Sequence, residues 1–267
     1  MKLVGFYHIY LPDEPSVWFS MVMEQFKILE DHELLDALDE LNVNVICKID
    51  DRAPLFDELI RLYYPKANIR FLISRSKDDS DMMNNISDEN QPSENNTMRL
   101  IYEKAHQEDC RILYFHSKGI TSILKHYKKD EMHLLRNYQY WRYYLNWGVL
   151  ENWKECVNSL DSHDVAGVNY FTYPAKHFSG AFWWTTSDWI KKLPDPSTKD
   201  WWYDLKSKST DHWLRNIATD RFRDEQWLCC RDDVRVYTVD QNNNNPALDN
   251  PANFFHPRKN YKQKSIL

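Results

Sequence analysis

The sequence predicts an α/β domain: a mixed, mainly parallel sheet flanked by helices, folded as a single domain. Three observations carry this expectation. In the first half, short apolar runs alternate with amphipathic stretches, the order that builds βαβ units. A chain of 267 residues, 42 % hydrophobic and 28 % charged, has ample material for a core and the balance of a soluble globular protein. No apolar stretch approaches the length of about eighteen residues that a membrane span requires.

The elements follow in chain order. Lys2 to Leu11 is a short apolar run, the first strand. Ser16 caps a helix with Trp18, Val22, Phe26 and Leu29 on one face. Asn42 to Ile49 is the second strand, ending at Asp50-Asp51, and Ala53 to Tyr63 a helix stopped by Pro65. Asn68 to Ser74 is the third strand. Asp78 to Asn96, rich in Ser, Asn and Asp, is a loop. A helix begins at Asn95 or Asn96 and runs through Glu108, and Cys110 to Phe115 is the fourth strand.

The second half changes character. Between Glu131 and Leu160, the residues Leu134, Tyr138, Trp141, Leu145, Val149, Trp153, Cys156 and Leu160 fall three or four apart and make one apolar helical face. Gly148 inside it marks a kink or a close packing contact. Asp164 to Phe171 is a fifth strand, Ser187 to Leu193 a short helix, and an irregular stretch runs to Thr210. Asp211 to Cys230 is largely helical and Val234 to Val239 is the last strand. The tail from Gln241, with Pro246, Pro251 and Pro257, is non-regular. The halves, residues 1–121 and 122–267, share one core.

Composition excludes several classes. A net charge of −6 argues against a broad nucleic-acid footprint, and the basic run Lys125 to Lys129 reads as a solvated helix start. The five cysteines (Cys47, Cys110, Cys156, Cys229, Cys230) are odd in number and contain no C-x-x-C, so neither structural zinc nor a disulfide framework is expected. With a polar, short beginning unlike a signal peptide, the expected location is cytoplasmic. No Gly-x-Ser-x-Gly, His-Glu-x-x-His or Gly-x-Gly-x-x-Gly occurs, which removes serine hydrolase, zincin and dinucleotide readings.

Parallel sheets bind ligands beyond the carboxyl ends of their strands. Phe6, Tyr7 and His8, Asp50, and His116 to Thr121 stand at such ends. In His116-Ser117-Lys118-Gly119, Lys118 can neutralise a phosphate, Ser117 can bond its oxygen, and Gly119 lets backbone approach the anion. Asp224-Glu225-Gln-Trp227 offers a carboxylate able to take a proton from an attacking hydroxyl, or alternatively a surface salt bridge to Arg221 or Arg223. Asp79-Ser-Asp81 has a spacing that can hold a divalent cation, but lies in the low-complexity loop. His256, between aromatics and Pro257, reads as a packed histidine that could also reach a diphosphate or a metal.

The segment His177-Phe-Ser-Gly-Ala-Phe-Trp-Trp184 is the most distinctive. Glycine is scarce: five are present where average usage gives roughly nineteen, so Gly180 answers a backbone demand. Four aromatics beside His177 and Ser179 suit a sugar-binding wall, since pyranose C–H faces stack on rings. They equally suit a buried turn.

Taken together, Tyr114-Phe-His-Ser-Lys-Gly119, Asp164-Val-Ala-Gly-Val-Asn-Tyr170, the aromatic segment and Asp224-Glu-Gln-Trp227 resemble a glycosyltransferase family of the GT-A type, seen among bacterial polysaccharide-synthesis proteins and large DNA viruses. Its members show Tyr-Leu-His-Thr-Lys-Gly, Val-Gly-Val-Asn, His-Phe-Ser-Gly-Asn-Phe-Trp-Trp, and a Glu two residues before Trp. The resemblance implies a GT-A-like (Rossmann-like) sheet. It implies transfer from a nucleotide diphosphate sugar, a UDP-sugar favoured, to a hydroxyl on a glycan or polysaccharide, with inversion. Glu225 is the implied base and Asp224 the second choice. Phe6, Tyr7, His8, Asp50, His116, Ser117, Lys118 and Gly119 are implied to hold the donor; His177, Ser179, Gly180, Trp183 and Trp184 line the sugar and acceptor side. The family's metal-binding D-x-D follows the fourth strand, where this chain has His116-Ser117-Lys118. That departure puts manganese or magnesium in doubt and leaves His256 as a candidate ligand. Ala181 replaces the family's Asn, with the loss of one hydrogen bond expected. These two departures support an alternative, a non-catalytic sugar- or nucleotide-binding protein. The enzymatic reading requires Lys118, Trp183 and Glu225 to meet at one pocket.

Overall fold

In the computed structural model, which describes residues 1–11, 15–48, 52–74, 93–120, 132–216 and 222–239, four of the apolar runs become parallel strands. These are β1 (Lys2–Leu11), β2 (Glu40–Lys48), β3 (Asn68–Ser74) and β4 (Cys110–His116). Between them lie α1 (Pro15–Asp31), α2 (Leu34–Ala37), α3 (Arg52–Tyr63) and α4 (Glu94–Gln107). The interior of β1 is buried without alternation because helices cover both faces of the sheet. Tyr7 and Ile9 enter the larger core with Trp18, Val22 and Phe26 of α1; Val4 and Phe6 enter a second core with Met98 and Ile101 of α4.

The second half supplies α5 (Met132–Asn146), a turn of π-helix (Trp147–Glu151) and α6 (Trp153–Ser159). It then contributes β5 (Val165–Gly167), the hairpin β6 (Tyr170–Phe171) and β7 (His177–Phe178), β8 (Trp183–Thr186) and α7 (Ser187–Ile190). Last come α8 (Asp200–Lys208), α9 (His212–Asn216), α10 (Arg223–Trp227) and β9 (Val236–Thr238). The seven-stranded sheet has the order β3-β2-β1-β4-β8-β5-β9, with β8 alone reversed against its neighbours β4 and β5. Strands from both halves of the chain therefore make one sheet.

Two elements differ from the sequence reading. The expected fifth strand breaks after Gly167, where Asn169 adopts φ 62° and opens the small hairpin. The stretch expected to be irregular up to Thr210 contains α8. The kink or close contact expected at Gly148 is present: the long helix is interrupted there, and a Cβ would stand 2.0 Å from Val168 Cγ1, so the helix rests on β5's extension through that missing side chain. No described helix is long and apolar enough to cross a membrane.

Candidate active site

The carboxyl ends of β1 and β4 lie side by side, with His8 opposite His116 in register. Beyond that pair the Ser117 N–H donates to the His8 carbonyl (3.0 Å), and the Tyr10 N–H donates to Ser117 Oγ (3.1 Å), so the turn is stitched to β1. Gly119 (φ 87°) follows in a conformation that disfavours any side chain.

The N-terminus of α4 lies against this edge. Ser93 caps it: its hydroxyl accepts from the Asn95 N–H, and Asn96 Oδ1 accepts from the Ser93 N–H (2.8 Å). The cap sets Glu94, Asn95 and Thr97 toward the strand ends. Thr97 Oγ1 is 2.8 Å from His8 Nδ1, and Glu94 Oε1 is 3.0 Å from His116 Nδ1. His116 Nε2 donates to the Gly180 carbonyl at 2.7 Å. Both His116 nitrogens thus face acceptors, so neither is turned toward a phosphate. Burial opposes ionisation of Glu94, but the His116 ring, with His8 and Lys118, outweighs it and holds the carboxyl far below its usual range. Burial pulls His8 down to about 4, against the pull of Glu94.

On the other side of the turn, Lys118 Nζ stands 3.4 Å from Glu225 Oε1 and 4.4 Å from the centre of the Trp141 ring. Glu225 and Asp224 belong to α10, which is anchored by the Trp227 indole N–H donating to the Pro194 carbonyl (2.9 Å). Successive helical residues point about 100° apart, and these two carboxylates diverge. Glu225 reaches Lys118. Asp224 turns inward, accepts from Asn95 Nδ2 at 3.1 Å, and has Arg223 Nε at 3.6 Å. Burial pushes the Asp224 carboxyl up to about 7, against Arg223 and with help from the Glu94 charge. Behind them lies Tyr114, fully buried, its ring 5.1 Å from that of Trp183 and its hydroxyl without a hydrogen-bond partner. Burial, then Glu94, Asp224 and Glu225, place that hydroxyl well above the usual phenol range.

The structure therefore gathers His8, His116, Ser117, Lys118, Gly119, Gly180, Asp224 and Glu225 at one edge of the sheet. Other expected contacts are placed elsewhere. Phe6 lies in the core beneath α4, and Tyr7 on the opposite face stacks on Phe115 (4.2 Å) and bonds Gln25 Oε1 (2.5 Å): both precede the strand end and are spent on packing. The exposed wall expected of Trp183 and Trp184 is not there. They are 2 % and 0 % exposed, because β8 is an interior strand; the Trp184 indole donates to the Val149 carbonyl (3.0 Å). His177 Nδ1 faces the Ala175 carbonyl (2.8 Å) and its ring lies on Phe171. Ser179 pairs through its backbone with Asn169. Ala181 is buried at φ 53°, a left-handed backbone conformation within the core. Asp50, Asp79, Asp81 and His256 lie outside the described residues. Among the described residues, no group of three or more His, Cys, Asp or Glu side chains is arranged to hold a metal ion.

Sequence reading missed Glu94, Asn95, Thr97, Trp141 and the Tyr114 hydroxyl. The available signal was positional: a helix that follows β3 begins at the carboxyl edge of the sheet. A surface depression of about 450 Å³, lined by residues including Arg61, Lys66 and Arg70, lies at the amino end of β3, away from this cluster.

The model of a family described as a domain of unknown function, DUF8361, matches residues 6–265, and the chain belongs to that family. No curated protein matches the chain. Among solved structures, a 4-diphosphocytidyl-2C-methyl-D-erythritol synthase is similar over 90 % of this chain and 89 % of that one, at 12 % identity and a TM-score of 0.33.

Proposed function

We propose that this DUF8361 member transfers a sugar from a nucleoside diphosphate sugar, a UDP-sugar favoured, to a hydroxyl acceptor on a GT-A-like domain. One observation carries the reading: Lys118 and Glu225, far apart in sequence, meet within 3.4 Å at the carboxyl ends of the strands. A cation for a leaving diphosphate and a carboxylate for an attacking hydroxyl are the two groups such a transfer needs. Glu225 takes the acceptor's proton as its oxygen bonds the anomeric carbon. The bond from that carbon to the diphosphate breaks, and the electron pair leaves with the diphosphate beside Lys118 and Ser117. A single displacement of this kind inverts the anomeric centre. Asp224 is the weaker candidate for base on geometry: it is 6 % exposed and tied to Asn95. In this reading it holds α10 in place.

The test is a thermal-shift screen of nucleoside diphosphate sugars, with and without manganese, followed by transfer assays on Glu225→Gln. A donor at one hundred times its Kd adds about 2.7 kcal/mol of stability. Glu225→Gln is expected to retain that shift and lose transfer. Undiminished turnover would remove Glu225 from the role, and no shift with any donor would end the proposal. A second reading, a binder without catalysis, is favoured by the burial of Trp183 and Trp184, which leaves a sugar no aromatic face there. Slow hydrolysis of the donor in the absence of acceptor separates the two, because a pure binder gives none.

A further inference from the structure

The pair that carries the proposed function has a second consequence. Lys118 Nζ and Glu225 Oε1 stand 3.4 Å apart, beyond the 2.7–2.9 Å or so of a well-made charge-assisted hydrogen bond. Their side chains are 13 % and 21 % exposed, so water screens the pair only in part. The Trp141 ring holds Nζ from another side, at 4.4 Å. Glu94 adds a negative field at Lys118, but its carboxylate is committed to His116. Glu225 stands on a five-residue helix anchored through Asp224 and Trp227. Its side chain can therefore rotate away without moving backbone.

We infer that the Lys118–Glu225 pair is a latch which the donor opens: the diphosphate takes Lys118 from Glu225, and only then is Glu225 free to act as base. This rests on the glycosyl-transfer reading. Without donor, the Glu225 carboxylate is held against the Lys118 ammonium and is not turned to an acceptor hydroxyl. A diphosphate brings more than one negative charge to the same Nζ and wins the competition. Trp141 keeps Nζ in position while its partner changes. Donor binding thus precedes activation of the acceptor, and an acceptor arriving first meets an unavailable base.

The latch makes a prediction that a passive site does not. The carboxylate competes with the diphosphate, so removing its charge must tighten diphosphate binding even as it stops transfer. The experiment is isothermal titration of uridine, guanosine, cytidine and adenosine diphosphates into the full chain, as wild type, Glu225→Gln, Lys118→Met and the double variant. For the nucleotide that binds, Glu225→Gln should tighten Kd about two- to fivefold, the range that a partly exposed ion pair contributes. Lys118→Met should weaken it at least tenfold, and in that background Glu225→Gln should have no effect. Equal or weaker binding by Glu225→Gln would overturn the latch while leaving the transfer reading standing. Tightening that persists without Lys118 would overturn it too, since the carboxylate would then act through another group. Absence of binding by all four nucleotides in the wild type would overturn the transfer reading itself. Circular dichroism of each variant separates loss of binding from loss of fold.

Discussion

Tyr114 carries a hydroxyl that is unpaired among the described residues, in full burial, near Glu94, Asp224 and Glu225. Buried polar groups are almost always satisfied, and leaving one unmade costs about 1–3 kcal/mol. The ring explains itself by its contacts with Trp183 and His116, which a phenylalanine would keep. The hydroxyl does not. In the proposed reading, the hydroxyl beside the proposed base donates to a ligand oxygen. Tyr114→Phe is therefore expected to leave the free protein as stable as wild type, or more stable by up to about 2 kcal/mol. It should also reduce the stabilisation that a bound donor provides. Urea unfolding with and without donor measures both. A loss above about 1 kcal/mol in the free variant would show that the hydroxyl already has a partner and is not reserved for a ligand.

At the scale of elements, the π-turn at Gly148 is the place where one missing side chain fixes a packing geometry. A Cβ there would lie within 3 Å of three side-chain atoms of Val168, which belong to a fully buried residue with nowhere to move. Gly148→Ala should cost about 1–3 kcal/mol by overpacking, and much of that cost should vanish in a Val168→Ala background, where the new methyl has room. Denaturant midpoints of the two single variants and the double variant check it; additive losses would place the strain elsewhere. Sequence marked Gly148 because glycine is rare in this chain, and it marked β1 to β4 because doubly covered parallel strands are near-continuous apolar runs. It did not mark β8. Four residues, Trp-Trp-Thr-Thr, the first three buried, between β4 and β5 have no alternation to read, and rings in a core look like rings on a wall. Nor did it mark α8, a helix of nine residues where only Trp202 is fully buried. The site divides in the same way. His116, Lys118 and Gly119 were legible because they end a strand. Glu94 and Thr97 were not, because only tertiary packing brings a helix N-terminus onto two histidines.

For the whole molecule, the floor of the site holds two titrations of opposite sign. His8 is held down to about 4, from an ordinary value of 6.5, by burial. Between those values the unfolded chain binds a proton that the folded protein refuses, so acidification removes stability. Asp224 is pushed up to about 7 from an ordinary 3.8, again by burial, with Glu94 adding and Arg223 opposing. Between those values the folded protein binds a proton that the unfolded chain lacks, so stability is full at low pH and declines as pH rises through 7. The windows overlap from about 4 to 6.5 and the two slopes oppose, each worth about 1.4 kcal/mol per pH unit at its limit. Wild-type stability should consequently change little over that range. Asp224→Asn deletes one slope and exposes the other, together with the loss from Glu94, whose depressed carboxyl withdraws stability as pH falls below its ordinary 4.5. The variant should gain on the wild type steadily from pH 4 to 7 and level off above 7. On its own it should be markedly acid-sensitive. Urea midpoints at pH 4.5, 5.5, 6.5 and 7.5 give the two curves. If they run parallel, Asp224 is ionised in the folded protein throughout and its burial is compensated by Arg223 and Asn95.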